Sequence, residues 1–518
     1  MIRPRDATTI GLPALGALAL AVGLAGPAAA LAPLDPSVVA IEPVPCTIGA
    51  PPDDSVACLV AWLPMSWDAL DAQGRLPADA PRVGVHVVVL ENPTRSSDPN
   101  PIVVLAGGPG QAGSDLIPLF GPALELRRNR AVLLVDQRGT GRSKPSLACP
   151  EIAATELDDN RFNDPTLAEA DPLAARFAAC RARLVADGVA LDAFDTRAAA
   201  RDLHAIRTAL GIPRWNLLGT SYGARLALDA MRVDPDGIRA VVLDSPLSNV
   251  PDREARRTAA RPALFEALYR DCAADPACAA RYGDLEAAMR RLAEHLGEEP
   301  MVLTFREPTS GEVVRKDVFF DDVVTALYQH MSFGPSARAV PRFLFELAEV
   351  ARGRLGITDE ETAAIFQTAH EGIVEGIAIG MHLSVRCRED VPFESAEAEA
   401  RVTAAHDLYF PGGEPDGLYA ALCPIWDVGT APDAFGEPVA SDIPVLILTG
   451  DADPLTPTQG AHEIARTLPR AQLVSFRGQA HDLFGTLMCA RVLTANFIEN
   501  PNMPVDTACL ERMRPFFE

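Results

Sequence analysis

Gly219-Thr220-Ser221-Tyr222-Gly223 sets a serine between glycines in a G-x-S-x-G pattern, after the apolar run Trp215 to Leu218 and before a helix-like stretch, Ala224 to Val233. A strand that turns this tightly into a helix leaves room only for small residues two places either side of the serine, and it lifts the hydroxyl above a sheet. A serine hydroxyl is a weak nucleophile, so acyl transfer needs a base beside it and an acid to orient that base. Both follow in the order serine, acid, histidine that this arrangement uses. The run Pro444 to Thr449 leads into Gly450-Asp451-Ala452-Asp453-Pro454, and Gln472 to Phe476 leads into Gly478-Gln479-Ala480-His481-Asp482. Among nine histidines, His481 is singled out as general base by its place after the last strand, whereas His204 and His295 fall within helical segments. Asp453, at the top of its loop before Pro454, is preferred as the orienting acid. Asp451 follows Gly450 directly and can serve the turn, and Asp482 is a distant third. The tetrahedral intermediate needs an oxyanion pocket, for which the backbone N–H of Tyr222 is the first donor. The second is expected from Gly107-Gly108-Pro109-Gly110, where glycines let the backbone approach a substrate; Gly108 is the choice and Gly107 the near alternative. This machinery implies no metal and no organic cofactor.

The same loop offers a rival reading. Gly108 to Gly113 fits G-x-G-x-x-G, and Asp136 ends the next strand as a ribose-binding acid would. Pro109 removes one N–H from such a phosphate cradle, an exported chain meets little dinucleotide, and the rival leaves Ser221, Asp453 and His481 without a role. Asp136 to Gly141 reads better as a structural turn in which Asp136 and Arg138 fix neighbouring loops.

Positioning these residues takes a sheet. Short segments rich in Val, Ile and Leu predict strands at Val83 to Leu90, Ile102 to Leu105, Ala131 to Asp136, Trp215 to Leu218, Ala240 to Asp244, Pro444 to Thr449 and Gln472 to Phe476. Helical segments alternate with many of them. Thr196 to Leu210 has a cap at Asp195 or Thr196, an apolar face of Leu203, Ile206 and Leu210, and a stop at Gly211 and Pro213. The expected class is α/β, a mostly parallel sheet with helices on both faces, assembled from residues 31–248 and 441–518. Residues 249–440 differ in texture. Helix-like stretches dominate there (Leu285 to Leu296, Val340 to Arg352, Thr362 to Met381) and continuous strands are few, so this interval reads as a helical cap, or lid, over the strand ends. Residues 153–190 read as a smaller helical excursion.

The chain's 518 residues carry 46 basic and 70 acidic side chains, a formal charge of −24, and 48% of them are hydrophobic. That composition is globular, and the excess of acids excludes a nucleic-acid surface, which needs concentrated positive charge. Residues 1–30 have the three parts of an export signal: Arg3 and Arg5, an apolar run from Ile10 to Leu24, and Ala28-Ala29-Ala30, with cleavage expected after Ala30. A secreted or periplasmic location without stable membrane insertion follows. Loss of Arg3, Arg5 and Asp6 leaves 44 basic and 69 acidic residues, a charge of −25. All ten cysteines lie beyond the signal, none forms a CxxC or a zinc-like cluster, and an exported chain matures where thiols oxidise. Five disulfides are expected, and joining neighbours (46 with 58, 149 with 180, 272 with 278, 387 with 423, 489 with 509) closes the smallest loops.

Taken together and in order, Gly107 to Gly110, Asp136 to Ser143, the elbow at Ser221, and Gly450 to Asp453 with His481 resemble the secreted α/β-hydrolases of the prolyl aminopeptidase and tripeptidyl aminopeptidase type. The resemblance covers the core, roughly half the mature chain. It implies an α/β-hydrolase fold and a serine exopeptidase whose nucleophile, acid and base are Ser221, Asp453 and His481, acting on a peptide or other small acyl substrate. Ala106 stands where many prolyl aminopeptidases carry His, so proline specificity is not implied. An aminopeptidase also needs carboxylates for a free α-ammonium. The cap offers Glu371 and Glu375, one helical turn apart, and Glu389 with Asp390; each reads first as a solvated acid, and none is assigned. Two other readings share the scaffold: an esterase or lactonase with the same triad, and a catalytically silent binding protein.

Overall fold

Buried strands need cover on both faces, and the alternation of apolar runs with amphipathic helices supplies it. The computed structural model describes residues 35–513 except 36–37, 48–55, 93, 95–99, 122–123, 153–171, 250–252, 298, 307–310, 312, 333, 355–357, 371–375 and 412–416. The expected export signal and both Glu371 and Glu375 therefore lie outside the described residues. Eleven strands occur among the described residues: β1 (Ala40–Val44), β2 (Val56–Pro64), β3 (Arg82–Leu90), β4 (Ile102–Leu105), β5 (Val132–Asp136), β6 (Trp215–Thr220), β7 (Ile238–Asp244), β8 (Met301–Arg306), β9 (Val313–Val318), β10 (Val445–Gly450) and β11 (Ala471–Phe476). Nine make one sheet in the order β1-β2-β3-β5-β4-β6-β7-β10-β11. The pairs β1–β2, β2–β3 and β3–β5 are antiparallel, and every pair from β5–β4 to β10–β11 is parallel.

Along the central strands, successive side chains enter opposite apolar clusters. Val103, Leu105, Leu217, Val241 and Ile447 fill one, while Ile102, Val104, Leu218, Val242 and Leu448 fill the other. Burying each such side chain contributes about 1.5–3 kcal/mol, so the sheet is a stiff platform for whatever its strand ends carry. The helix Thr196–Ala209 behaves as its sequence predicts: Asp195 caps it by accepting the Ala198 N–H at 2.7 Å, and Leu203 and Ile206 are buried.

A third apolar cluster lies wholly in the interval between β7 and β10, apart from fringe contacts with Ala452 and Leu455. It joins the helices Arg253–Ala274, Leu285–Leu296, Phe320–Ser332, Val340–Val350 and Asp359–His370 to the hairpin β8–β9, through Phe265, Met289, Leu303, Leu327, Leu344 and Phe366. By contrast, Met381, Val385, Leu422 and Trp426, later in the same interval, pack into the first cluster with the sheet.

One local expectation is corrected, and two features go beyond the sequence reading. The stretch Thr362 to Met381 is not one helix: Asp359–His370 and Ile379–Val385 are separate, Gly376 stands at φ 93°, and Ile377 forms a β-bridge to Gln111. The strands β1 and β2 precede the first strand expected from the sequence, and Pro43 is tolerated because β1 is the sheet edge. The hairpin β8–β9 carries a strict alternation of buried and exposed residues that the surrounding helical texture masks. All ten cysteines are paired, as Cys46–Cys58, Cys149–Cys180, Cys272–Cys278, Cys387–Cys423 and Cys489–Cys509, the five neighbour pairs. No helix of the described residues is long and apolar enough to cross a membrane.

Candidate active site

At the end of β6 the chain turns through Ser221 at φ 58°, ψ −120° and enters the helix Tyr222–Val233 at once. A positive φ is costly for a residue with a Cβ and persists only where the surroundings impose it. Here they do. The N–H of Ser221 donates to the Asp244 carbonyl at 2.9 Å, its carbonyl accepts from Leu247 at 3.2 Å, and a Cβ on Gly223 would collide with the Leu105 carbonyl. Gly219 is equally hemmed in by the backbone of Gly223 and Ala224.

The loop after β10 buries Asp453, whose Oδ1 accepts the N–H groups of Leu455 and Thr456, both at 2.9 Å. Its Oδ2 lies 2.8 Å from Nδ1 of the buried His481 and accepts the Thr456 hydroxyl at 2.7 Å. Thr456 Oγ1 is also 3.2 Å from that Nδ1 and 3.0 Å from the Ser245 carbonyl. Burial alone would lower the His481 pKa, but the charge and hydrogen bond of Asp453 more than offset it, and the net shift is upward from 6.5. The backbone N–H of His481 donates to the Ser332 carbonyl at 3.1 Å, so the inserted segment touches the histidine directly. Asp451 is exposed and accepts from Gly478 across the turn, and Asp482 caps its own short helix by accepting from Gly485 at 2.9 Å. Neither reaches His481 in place of Asp453.

The glycine loop lies against the serine. A Cβ on Gly107 would sit 3.1 Å from Ser221 Cβ, whereas Gly108, at φ 101°, is exposed. Four contacts hold this loop: Gln137 Nε2 on the Ala106 carbonyl at 3.0 Å, His382 Nδ1 on the Pro109 carbonyl at 3.1 Å, the Ala378 N–H on the Gly110 carbonyl at 2.9 Å, and the bridge from Gln111 to Ile377. Gln137 belongs to the turn read as structural. In that turn Asp136 holds Ser114 and the Arg142 N–H, while Arg138 forks onto Asp202 at 2.7 and 2.6 Å.

Glu389 and Asp390 are buried and engaged. Glu389 accepts both the N–H and the hydroxyl of Thr196 at 2.6 Å, and Thr196 Oγ1 is 3.0 Å from the Tyr222 hydroxyl. Burial, with Asp195 nearby, pushes the Glu389 carboxyl up to about 8. Asp390 pairs with Arg225 at 2.7 Å and Arg386 at 2.9 Å. These acids serve the scaffold of the nucleophile helix instead of facing solvent. Among the described residues one grouping has metal-ligand character, Cys149, Glu151 and Cys180, and its two sulfurs are bonded to each other.

Sequence reasoning passed over Thr456, Asp244, Ser245, Ser332 and His382. The signal for Thr456 was present as a hydroxyl three residues after the acid; the others are linked to the site only through tertiary contacts.

A family model described as alpha/beta hydrolase fold matches residues 100–293, which contain β4 to β7 and the serine turn. The chain has the alpha/beta hydrolase fold. A second model, described as TAP-like protein, matches residues 415–509 of this chain, including Asp453 and His481. Among its relatives, the serine protease Hip1 of Mycobacterium tuberculosis is 24% identical over 445 residues, covering 79% of this chain and 80% of the relative. Tripeptidyl aminopeptidase of Streptomyces coelicolor is 24% identical over 409 residues, 74% and 71% of the two chains. A probable proline iminopeptidase of the same organism is 29% identical over 195 residues, 38% and 47% of the two chains.

Proposed function

We propose that this hydrolase is an exported serine aminopeptidase that releases residues or short peptides from peptide N-termini. The observation that carries the reading is the buried Asp453–His481 contact of 2.8 Å, made by loops that leave the same sheet whose strand β6 ends in the strained turn of Ser221. In the proposed cycle Ser221 Oγ attacks the scissile carbonyl as His481 takes its proton. Asp453 holds the imidazole in the tautomer that carries hydrogen on Nδ1, and the N–H groups of Gly108 and Tyr222 receive the oxyanion. His481 then returns the proton to the leaving amine, and water repeats the sequence on the acyl-enzyme. Export is supported by the N-terminal pattern of the sequence and by five disulfides. Exopeptidase action is supported by the names of the relatives, and the interval 249–440 is read as the cap that closes over the strand ends.

Turnover of free and N-blocked aminoacyl, prolyl and tripeptidyl amides beside simple esters tests the substrate class. The expected result is cleavage of amides with a free α-ammonium and at least tenfold slower turnover of their N-blocked forms. Ester cleavage without amide cleavage overturns the aminopeptidase reading in favour of an esterase. No turnover, with no labelling by a fluorophosphonate, marks a silent binding protein.

A further inference from the structure

At the end of β7, Asp244 and Ser245 are both fully buried, and neither belongs to the triad. Together they touch the supports of all three triad residues. The Asp244 carbonyl accepts the N–H of Ser221 at 2.9 Å, and its Oδ2 accepts the hydroxyl of Thr220, the residue before the nucleophile, at 3.3 Å. The same carboxylate reaches across to the turn after His481, with Oδ1 accepting the Leu483 N–H at 3.2 Å and Oδ2 the Phe484 N–H at 3.1 Å. Ser245 completes the junction. Its Oγ accepts the N–H of Asp482 at 3.1 Å, its carbonyl oxygen lies 3.0 Å from Oγ1 of Thr456, the partner of Asp453, and its own N–H is fixed on Leu448 of β10 at 2.9 Å. Like Ser221, Ser245 stands at positive φ, 45°, a conformation held by its surroundings.

A carboxyl buried this deeply is expensive, and a strand end in an apolar sheet is more cheaply closed by an apolar side chain. Its acceptors point at two loops that no regular sheet pairing joins: the elbow on β6 and the histidine loop after β11. Rate depends steeply on that spacing, because a misplacement of about 1 Å between reacting groups costs about 100-fold.

We propose that Asp244 and Ser245 are positioning residues that set the register between Ser221 and His481, the carboxylate tying the nucleophile turn to the residues that follow the base. The inference rests on the triad reading of the preceding subsection. In Asp244→Asn the amide nitrogen faces a backbone N–H that it cannot accept, so one of the two histidine-loop anchors is lost while volume is kept.

The test measures kcat, KM, the rate of fluorophosphonate labelling and thermal unfolding for the full-length chain, Asp244→Asn and Ser245→Ala. For Asp244→Asn the expected result is a fall in kcat and labelling rate of about 10–100-fold at a KM within about twofold, with cooperative unfolding retained. Ser245→Ala is expected to move the same quantities in the same direction. A folded Asp244→Asn with the parent's kcat and labelling rate overturns the inference, as does a loss confined to KM. Should Asp244→Asn not fold, Ser245→Ala decides: the parent's kcat refutes the role, a lowered kcat at unchanged KM supports it. Failure of the unmodified chain to label at Ser221 is a separate outcome, which overturns the triad reading itself.

Discussion

In the proposed cycle His481 can act as a base only in its neutral form, and its surroundings favour the charged one. Because Asp453 holds its pKa above 6.5, kcat/KM is expected to fall as pH drops through that raised value and to be full on its alkaline side. Asp453→Asn removes both the charge and the correct hydrogen-bond acceptor. The pH–rate profile of this variant should show an acid limb displaced to lower pH and a plateau lower by about 10⁴-fold; an unmoved limb denies Asp453 its role. Thr456 acts on the same oxygen. Thr456→Val strips one donor from the buried Asp453 Oδ2 and is expected to cost about 1–3 kcal/mol of stability in denaturant titrations, with a fall in kcat. The contact of Asp453 with His481, and of Asp451 with its own turn, was foreshadowed by loop position, since an acid directly after a strand's terminal glycine is the one the turn consumes. Thr456 was less legible, because an Asp with Thr three residues later is also an ordinary turn.

Elements position these side chains, and the elbow shows why its motif can be read without a structure. The crowding of Gly219 and Gly223 against backbone excludes every side chain, so geometry writes itself into residue types. Gly223→Ala is expected to destabilise the fold by about 1–3 kcal/mol or more and to suppress labelling of Ser221, both measurable on the purified variant. Contacts between elements leave no such mark. Glu389 looked like a surface acid because nothing local reveals that the start of the helix Thr196–Ala209 comes to it, through the N–H and hydroxyl of Thr196. Glu389→Ala strands the Thr196 N–H and should lower stability by about 1–3 kcal/mol in a denaturant titration. The break between His370 and Ile379 was hidden for a related reason: helical patterning resumes on both sides, and only the contact of Ile377 with Gln111 shows that the chain crosses the glycine loop there.

Across the whole molecule, the interval 249–440, proposed as a cap, also contacts the elements around the proposed site. Its Ser332 carbonyl holds the backbone of His481, residues 377–382 grip the glycine loop, and Glu389 with Asp390 brace the nucleophile helix. The separate apolar cluster between β7 and β10 was foreshadowed by the change from strand-rich to helix-rich texture along the chain. That the later part of the insertion packs with the sheet was not, since apolar periodicity does not say against what a helix packs. The five disulfides bear on the whole fold, and thiol titration of the denatured, unreduced chain is expected to find no free thiol. All of this converges on one hydroxyl. The most direct measurement is peptide mapping after fluorophosphonate treatment of the native chain, Ser221→Ala and His481→Ala. The account predicts one adduct, on Ser221, abolished in the first variant and strongly slowed in the second. An unlabelled native chain, or equal labelling of Ser221→Ala, contradicts it.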